Sequence, residues 1–562
     1  MVKEQQERCL SGQLCDIYYP KGYPKKSQSL LTFFPTYAIL ESRGTVALSL
    51  SMNFILKKKI EWLRLASLKR DDFLKENLVH SSLEFLKILE QYTLESKMLA
   101  CQKFSSRIMT SSKVDMLKAC KENIMPWELE AFAAYSIVYD TDEATKELDG
   151  ETFSKVITLI RNYWHDGLTA AEENGEYAEV FMMISALQQF PVQGVYLQKL
   201  FRYHYFFTFQ NSSIDMRKVF FDKMGVNYEQ LEDFAFLLFL ACSKEVQDTI
   251  APFQIQRMIV KAMSYKNVVE LLSIEKEDYK KKLSLLYNDN VIDQYYGLKI
   301  QYQYPIISGK DFCYIPSPYL VINAVTESML NRVTFKDNGL RRAIGKEVIE
   351  NYLYDIVSQL NTVTWISHEL PYKKGKNRLL TSDVIAAEDD KVIFYDSKAF
   401  TPSLKLRKFD SDEIEKSIRI YAEDVIQIYN QIENYLQGLF ELDKDYSKNN
   451  IFGVVVVLED AVVSRKKVYD KAFSILQETE NLSEGDKNYI SSHIKILPLE
   501  SVECMILQNT SLLPELLAQL DTPKKWYDYT YSEHTTENGL IPVYAQYEHD
   551  IKSRMRNFLQ QI

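Results

Sequence analysis

Glycine is scarce in this chain. Only 17 of the 562 residues are glycine, and neither G-x-x-x-x-G-K-[ST] nor G-x-G-x-x-G occurs. Backbone amides need such glycines to approach a phosphate closely, so the usual ATP- and dinucleotide-binding loops are excluded. Cysteine is sparse too. Cys9, Cys15, Cys101, Cys120, Cys242, Cys313 and Cys504 are irregularly spaced and form no C-x-x-C pair. A disulfide framework and a structural zinc site are poor readings of that pattern, which fits reduced thiols in a cytoplasmic protein. Long apolar runs are missing. The stretch FAFLLFLAC at residues 234–242 is far below the roughly 20 residues of a membrane span and reads as a buried helix. The first residues lack the apolar segment of a signal peptide. An excess of positive charge is also absent, since 67 Lys and Arg stand against 77 Asp and Glu for a net charge of −10. That balance argues against a protein coated in basic surface, but it leaves room for a local basic groove.

What the chain has is core. Apolar residues make up 46%, and 37 Tyr, 29 Phe and 5 Trp are far too many aromatics for a disordered chain. At roughly 150 residues per domain, the length corresponds to three or four domains. Residues 1–56 read as a mixed segment, with short extended runs at 29–39 and 46–56. Residues 57–300 carry recurring helical periodicity, broken at Pro126, Asp149-Gly150, Pro191 and Pro252, with no fixed repeat. A hairpin and connector occupy 301–334, with strands expected at 298–306 and 312–315 around Ser308-Gly309-Lys310-Asp311. Helices follow at 319–331 and 340–360. Strand-like runs at 363–370, 379–387 and 391–400 precede a long helix at 412–436, a β-branched buried strand at 451–458, a helix at 468–479 and a strand at 493–499. That order, α-β-β-β-α-β-α-β, predicts an α/β domain with a mixed sheet over 335–510. Residues 511–562 read as a helical tail. The expected fold class is therefore multidomain α + α/β, with a large N-terminal helical region.

The α/β segment holds a set of residues that suits phosphodiester chemistry. Asp396 and Lys398 lie two apart near the end of the third strand, and side chains at i and i+2 share a face. Asp383, on the second strand, is brought beside Asp396 by the turn Glu388-Asp389-Asp390. Two such carboxylates are the hard oxygen ligands that Mg²⁺ prefers. A lysine beside them can orient the attacking water, help deprotonate it, and stabilise charge on the phosphate. A third acid, Glu350, lies one residue from the apolar stripe Ile349, Leu353, Ile356, Val357 and Leu360 of the preceding helix; Glu347 competes for the role. On the long helix, Ile414, Ile418, Tyr421, Val425, Ile428, Ile432 and Tyr435 form a core-facing stripe.

Glu350, Asp383, Asp396 and Lys398, in that order on helix, strand and strand, resemble the PD-(D/E)XK nuclease superfamily. Gly345-x-x-x-Ile349-Glu350 is similar to that family's helix signature, with Ile for Phe. Ser382 stands where the family name has Pro. Gln431 and Tyr435 resemble the Q-x-x-x-Y element of its RecB-like branch. Gln431 falls 33 residues after Lys398, a longer spacing than the branch implies, and Gln427 is the alternative. The resemblance covers about a third of the chain. It implies a restriction-endonuclease-like fold, Mg²⁺ with Mn²⁺ as substitute, metal ligation by Asp383, Asp396 and Glu350, and catalytic roles for these with Lys398 and Gln431.

Charge adds a local argument. Residues 371–408 carry nine basic and five acidic side chains. Lys373, Lys374, Lys376 and Arg378 crowd the first turn, and Lys405, Arg407 and Lys408 follow the third strand, placing cations where a phosphate backbone would lie. The whole 335–510 segment is nonetheless −6 (23 basic, 29 acidic), so indiscriminate duplex binding is not expected. The expectation is a gated, Mg²⁺-dependent DNA endonuclease resembling a bacterial anti-phage defence or restriction effector. Its partners would be DNA, a separate ATPase or sensor protein, and a second copy of the chain in a homo-oligomer. The competing readings are a catalytically silent nuclease-fold platform and a nuclease of RNA or branched repair DNA. Arg161-x-x-x-His165 is too short for the spacing of HEPN ribonucleases, and His204 reads as a packed helix residue.

Overall fold

The computed structural model describes residues 84–110, 113–170, 195–242, 265–286, 300–308, 313–407, 410–461, 463–479, 482–518 and 539–561. The extended runs expected in 1–56, the breaks at Pro191 and Pro252, and Lys408 lie outside these residues. The chain is mixed helical and α/β, as its periodicities predict. Among the described residues, no helix is long and apolar enough to cross a membrane.

The helical region is built from well-capped segments. Thr93, Asp115 and Asp215 each accept a backbone N–H of the first turn of the helix they precede. The breaks expected at Pro126 and Asp149-Gly150 are boundaries between helices: Pro126 opens Pro126–Val138 and Gly150 opens Gly150–Ala170. Proline suits a first helical position because its missing N–H would have no partner there. The FAFLLFLAC run sits in Tyr228–Cys242 and is almost wholly buried. The expected hairpin is smaller than its sequence implies. Ile306–Ser308 pairs antiparallel with Cys313–Tyr314, while Ile300–Tyr302 closes into a 3₁₀ turn with Tyr304 N–H donating to Ile300 O. An unforeseen strand, Ser273–Glu275, pairs parallel to Ile306–Ser308.

The second half is organised around one five-stranded sheet. We number its strands β1 (Val363–His368), β2 (Val384–Glu388), β3 (Lys391–Lys398), β4 (Ile451–Val457) and β5 (Ile494–Pro498). They lie side by side in chain order. β1, β2 and β3 form an antiparallel meander, and β3, β4 and β5 run parallel. A helical run, α1, precedes β1. It passes from Asn338–Ala343 through a wide π-helical stretch, Ile344–Ile349, into Glu350–Val357. Helix α2 (Ser411–Leu436) makes the crossover from β3 to β4. Helices α3 (Arg465–Thr479) and α4 (Glu484–His493) make the one from β4 to β5. The α4 helix was not foreseen, although Ser483 and Asp486 form a capping box at its start.

Strand alternation divides the core. Ile385, Val392, Phe394, Val455 and Val457 face α2 and α3, whereas Val384, Ile393, Tyr395, Val454 and Val456 face α1 and the N-terminal helices. The all-apolar β4 is buried along its whole length, as its β-branched composition predicts. The helical region therefore shares a core with one sheet face. A buried polar clamp joins them. Arg202 grips Glu503 with both guanidinium arms at 2.6 and 2.5 Å, and Tyr352 of α1 donates to the same carboxylate at 2.7 Å. Glu503 lies on α5 (Leu499–Leu507), which follows β5.

One expected strand is corrected. The run 379–387 is not continuous, because residues 371–380 form a separate hairpin, Pro371–Lys374 against Asn377–Leu380. Thr381 breaks the path: its N–H donates to Leu370 O at 3.1 Å and its Oγ1 accepts from Leu370 N–H at 2.8 Å. Asp383 consequently precedes β2 and does not lie within it. A side-chain acceptor has here taken the place of a backbone carbonyl.

Packing between α2 and the sheet is closest at Gly453. A Cβ there would fall 2.3 Å from Ile428 Cγ2. Gly453→Ala should therefore destabilise the protein by about 1–3 kcal/mol, read as a lowered Tm in thermal unfolding. An unchanged Tm would contradict this packing.

Candidate active site

The carboxyl end of β3 is where charge is confined. Asp396 and Lys398 both face α2, and Lys398 Nζ lies 2.6 Å from Asp396 Oδ2. Asp396 is 2% exposed. Asp383, just before β2, turns its carboxylate across to β3, where Oδ2 accepts from Ser397 N–H at 2.6 Å and from Ser397 Oγ at 2.8 Å. These bonds fix the acid beside the Asp396–Lys398 pair. Helix α2 contributes from above. Gln427 Nε2 donates to Asp396 Oδ1 at 3.2 Å, while its Oε1 accepts from Lys398 Nζ at 3.2 Å. Asp424 Oδ1 lies 3.6 Å from Lys398 Nζ, and its buried Oδ2 has no hydrogen-bond partner.

Glu350 reaches the same cluster from α1, close enough for its charge to be felt against Asp383 and Asp396. The π-helical stretch immediately before it changes the angular phase of the helix, which sequence periodicity of 3.6 does not reveal. Gly345 lets this stretch approach the end of β3, since a Cβ there would stand 3.3 Å from Ala399 Cβ. Arg341 secures the contact by donating to Ala399 O at 3.0 and 3.3 Å. The competing acid, Glu347, turns elsewhere and accepts from Asn211 at 3.0 Å.

Gln431 lies one turn beyond Gln427 and accepts from Ser382 Oγ, behind Asp383. It is thus Gln427 that touches Asp396 and Lys398, and Gln431 that braces the segment carrying Asp383. Tyr435 belongs to the core stripe, donating to Lys444 O at 3.2 Å and accepting from Tyr446 N–H at 2.8 Å. Asp424 escaped the sequence reading, although Asp424, Gln427 and Gln431 at i, i+3 and i+7 share a helix face and carry the signal.

The electrostatics follow from crowding. Burial, reinforced by the charges of Asp383 and Glu369, pushes Glu350 up to about 8. Burial and the Asp396 charge push Asp383 up to about 7 against the two Ser397 bonds. Burial raises Asp396, opposed by Lys398, and lifts Asp424 to about 6. For Lys398, burial alone would lower the value, but the charges of Asp396 and Asp424 overcome it and hold the ammonium protonated. Lys398 therefore suits orientation and charge stabilisation better than proton abstraction. Among the described residues, no three His, Cys, Asp or Glu side chains converge as a preformed metal cage. The donor set nevertheless fits Mg²⁺: hard carboxylate oxygens, crowded against one another, with a buried oxygen of Asp424 lacking a partner.

Of the basic residues, Lys373, Lys374, Lys376 and Arg378 lie on the hairpin 371–380, which turns at Gly375 with φ +62°. All four are exposed. Lys373 faces Arg378 directly in register, an unfavourable like-charge pair. Lys374 is tied to Asn434 Oδ1 of α2 at 2.9 Å, which docks the hairpin on the same helix that carries Gln427. Lys405 is exposed on Leu404–Arg407, and the side chain of Arg407 is outside the described residues. Arg161 is a structural clamp, bonding Glu128 at 2.5 and 2.7 Å. His204 packs against Glu232 at 3.1 Å. No protein-family model, curated protein or solved structure matches the chain.

These shifts set a pH dependence. A carboxyl group whose folded value is raised contributes stability that is complete below its ordinary range and is lost as pH rises through the raised value. With chelator present, Tm should fall as Asp383 and Glu350 ionise, through about 7 and about 8. Mg²⁺ should stabilise the protein more above this window than below it, because metal competes with protons for these oxygens. A Tm independent of pH across the window, with or without Mg²⁺, would contradict the clustering.

Proposed function

We propose that the chain is a Mg²⁺-dependent nuclease of PD-(D/E)XK type that hydrolyses DNA phosphodiester bonds. The observation that carries the reading is the meeting of Asp396 and Lys398 at 2.6 Å on the end of β3, beside Asp383 and within reach of Glu350. The topology supports it: a helix bearing the first acid, an antiparallel meander bearing the rest, and a helical crossover to a parallel neighbour of the third strand.

Asp383, Asp396 and Glu350 would hold the ion. When bound, Mg²⁺ supplies polarisation of the phosphodiester and acidification of a water molecule. The chain's own residues supply the remainder. Lys398, held charged, orients the water and stabilises negative charge developing on the phosphate oxygens. Gln427 fixes the distance between Asp396 and Lys398 by bonding both. Asp424 restrains Lys398 from the α2 side. Near neutrality Glu350 retains a proton in the metal-free site and can exchange it there. The basic hairpin, docked on α2 by Lys374, places Lys373, Lys376 and Arg378 where a phosphate backbone would relieve the Lys373–Arg378 repulsion.

In a supercoiled-plasmid assay with Mg²⁺, Asp396→Asn and Lys398→Ala should each lower cleavage by about 10²–10³-fold, comparable to removal of one preorganised electrostatic group. Gln427→Ala should lower it less while leaving the fold intact. Cleavage unaffected by Asp396→Asn and Lys398→Ala would overturn the site. Absence of cleavage with Mg²⁺ or Mn²⁺ on DNA would favour the platform reading, and activity confined to RNA or branched DNA would move the substrate.

A further inference from the structure

The turn that leads into α1 exposes an aromatic ring. Phe335 is 70% exposed, the most exposed of the large hydrophobic side chains among the described residues. An isolated exposed aromatic is ordinary by itself. This one is held at a particular place. The next residue, Lys336, takes φ +57°, an uncommon backbone conformation for any residue but glycine. Its ammonium sits 5.3 Å over one face of the Phe335 ring. The turn is pinned from both sides. Asp337 caps Asn338–Ala343 through Leu340 N–H at 3.0 Å and also accepts from Lys223 at 3.0 Å. Arg332, just before the turn, is anchored to the carbonyl of Leu271 at 3.1 Å.

From this tip, α1 runs directly to the catalytic cluster. Arg342 and Lys346 are exposed along it, one turn apart, and Lys346 lies near enough to Glu350 to act on its charge. Neither Lys336, Arg342 nor Lys346 forms an ion pair with a carboxylate within 4 Å among the described residues. Residues 332–346 contain five basic side chains and one acidic one. Two of the five, Arg332 and Arg341, are spent on backbone carbonyls. The other three are exposed, Lys336 on the turn and Arg342 and Lys346 on α1. From residue 338 to Glu350 the helix spans roughly 15–18 Å, the length of a few nucleotides. The hairpin cations lie on the other side of the site, docked on α2.

We propose that the Phe335 tip and the Arg342–Lys346 row form a track for a single-stranded segment of DNA, with an unpaired base stacked on Phe335 and its phosphates leading to the β3 carboxylates. Stacking requires an exposed ring and an unpaired base, because bases inside a duplex have no free face. The cations beside it bind the phosphates. The inference rests on the nuclease reading for its direction, but binding can be measured apart from hydrolysis. It narrows the DNA substrate to one that presents an unpaired segment, whether a frayed end or the locally melted strand of supercoiled DNA.

The test is fluorescence anisotropy of the full chain with labelled single-stranded and blunt duplex DNA, in Ca²⁺ with Asp396→Asn to suppress turnover. Phe335→Ala should weaken single-strand binding by about 5- to 100-fold and leave duplex binding unchanged. Phe335→Trp should retain affinity and show fluorescence quenching on binding, which also establishes that the turn still folds. Lys336→Gln with Arg342→Gln should reduce the salt slope by about 0.7 for each phosphate left without its cation. Single-strand affinity unaffected by Phe335→Ala, or an equal weakening for blunt duplex, would overturn the track. Tighter binding of the matching RNA would overturn the assignment to DNA. If plasmid cleavage fails while Phe335-dependent binding persists, hydrolysis falls and the track stands; intact cleavage with no Phe335 dependence is the reverse.

Discussion

Lys398 lies against the carboxylate of Asp396 in a site that also gathers Asp383, Glu350 and Asp424. Removing that many acids from water is unfavourable unless a positive charge compensates them. One lysine cannot balance four carboxylates. The consequence is visible in Glu350 and Asp383, both displaced upward into the neutral range. A hard divalent ion would resolve this imbalance, and under the proposed nuclease reading the same imbalance would reconcile an acidic chain with a polyanionic substrate. Acidity is concentrated in this buried cluster, while Lys373, Lys376, Arg378, Arg342 and Lys346 are exposed.

The surrounding architecture serves to hold this cluster together. β3 is a central strand, paired with β2 and β4, so Asp396 and Lys398 project from the most constrained part of the sheet. Gly453 brings α2 down onto β4, which sets the height of Gln427 and Asp424 over the strand end. Gly345 and Arg341 bring α1 to Ala399, which sets Glu350. The Arg202–Glu503–Tyr352 clamp couples that same helix to the N-terminal region. Tyr352 is two residues from Glu350, so the clamp ties the helix that carries this acid to the N-terminal region through a buried, hydrogen-bonded contact.

Much of this was legible in sequence where short-range physics dominates. The β-branched run of β4, the apolar stripe of α2 and the D-x-K pair on β3 each follow from side-chain periodicity. The misreadings have a common cause in side-chain hydrogen bonds and local helical geometry. Thr381 bonds Leu370 and ends the strand that alternation predicted, so Asp383 stands before β2. The π-helical stretch before Glu350 alters the helix phase without altering composition. The choice between Gln427 and Gln431 depends on how α2 rolls over the sheet, a tertiary quantity. Asp424 carried a readable signal, since it shares a face with both glutamines, but an acid on a helix is ordinarily solvated.

Under the proposed reading, Asp383, Asp396 and Glu350 would converge on one metal ion. A crystal structure grown with Mn²⁺ and read by anomalous scattering tests that convergence. The expected result is a peak between Asp383 and Asp396, with Glu350 at or beside its coordination sphere and Lys398 displaced from Asp396 Oδ2. Anomalous density elsewhere, with the Lys398–Asp396 contact intact, would contradict it.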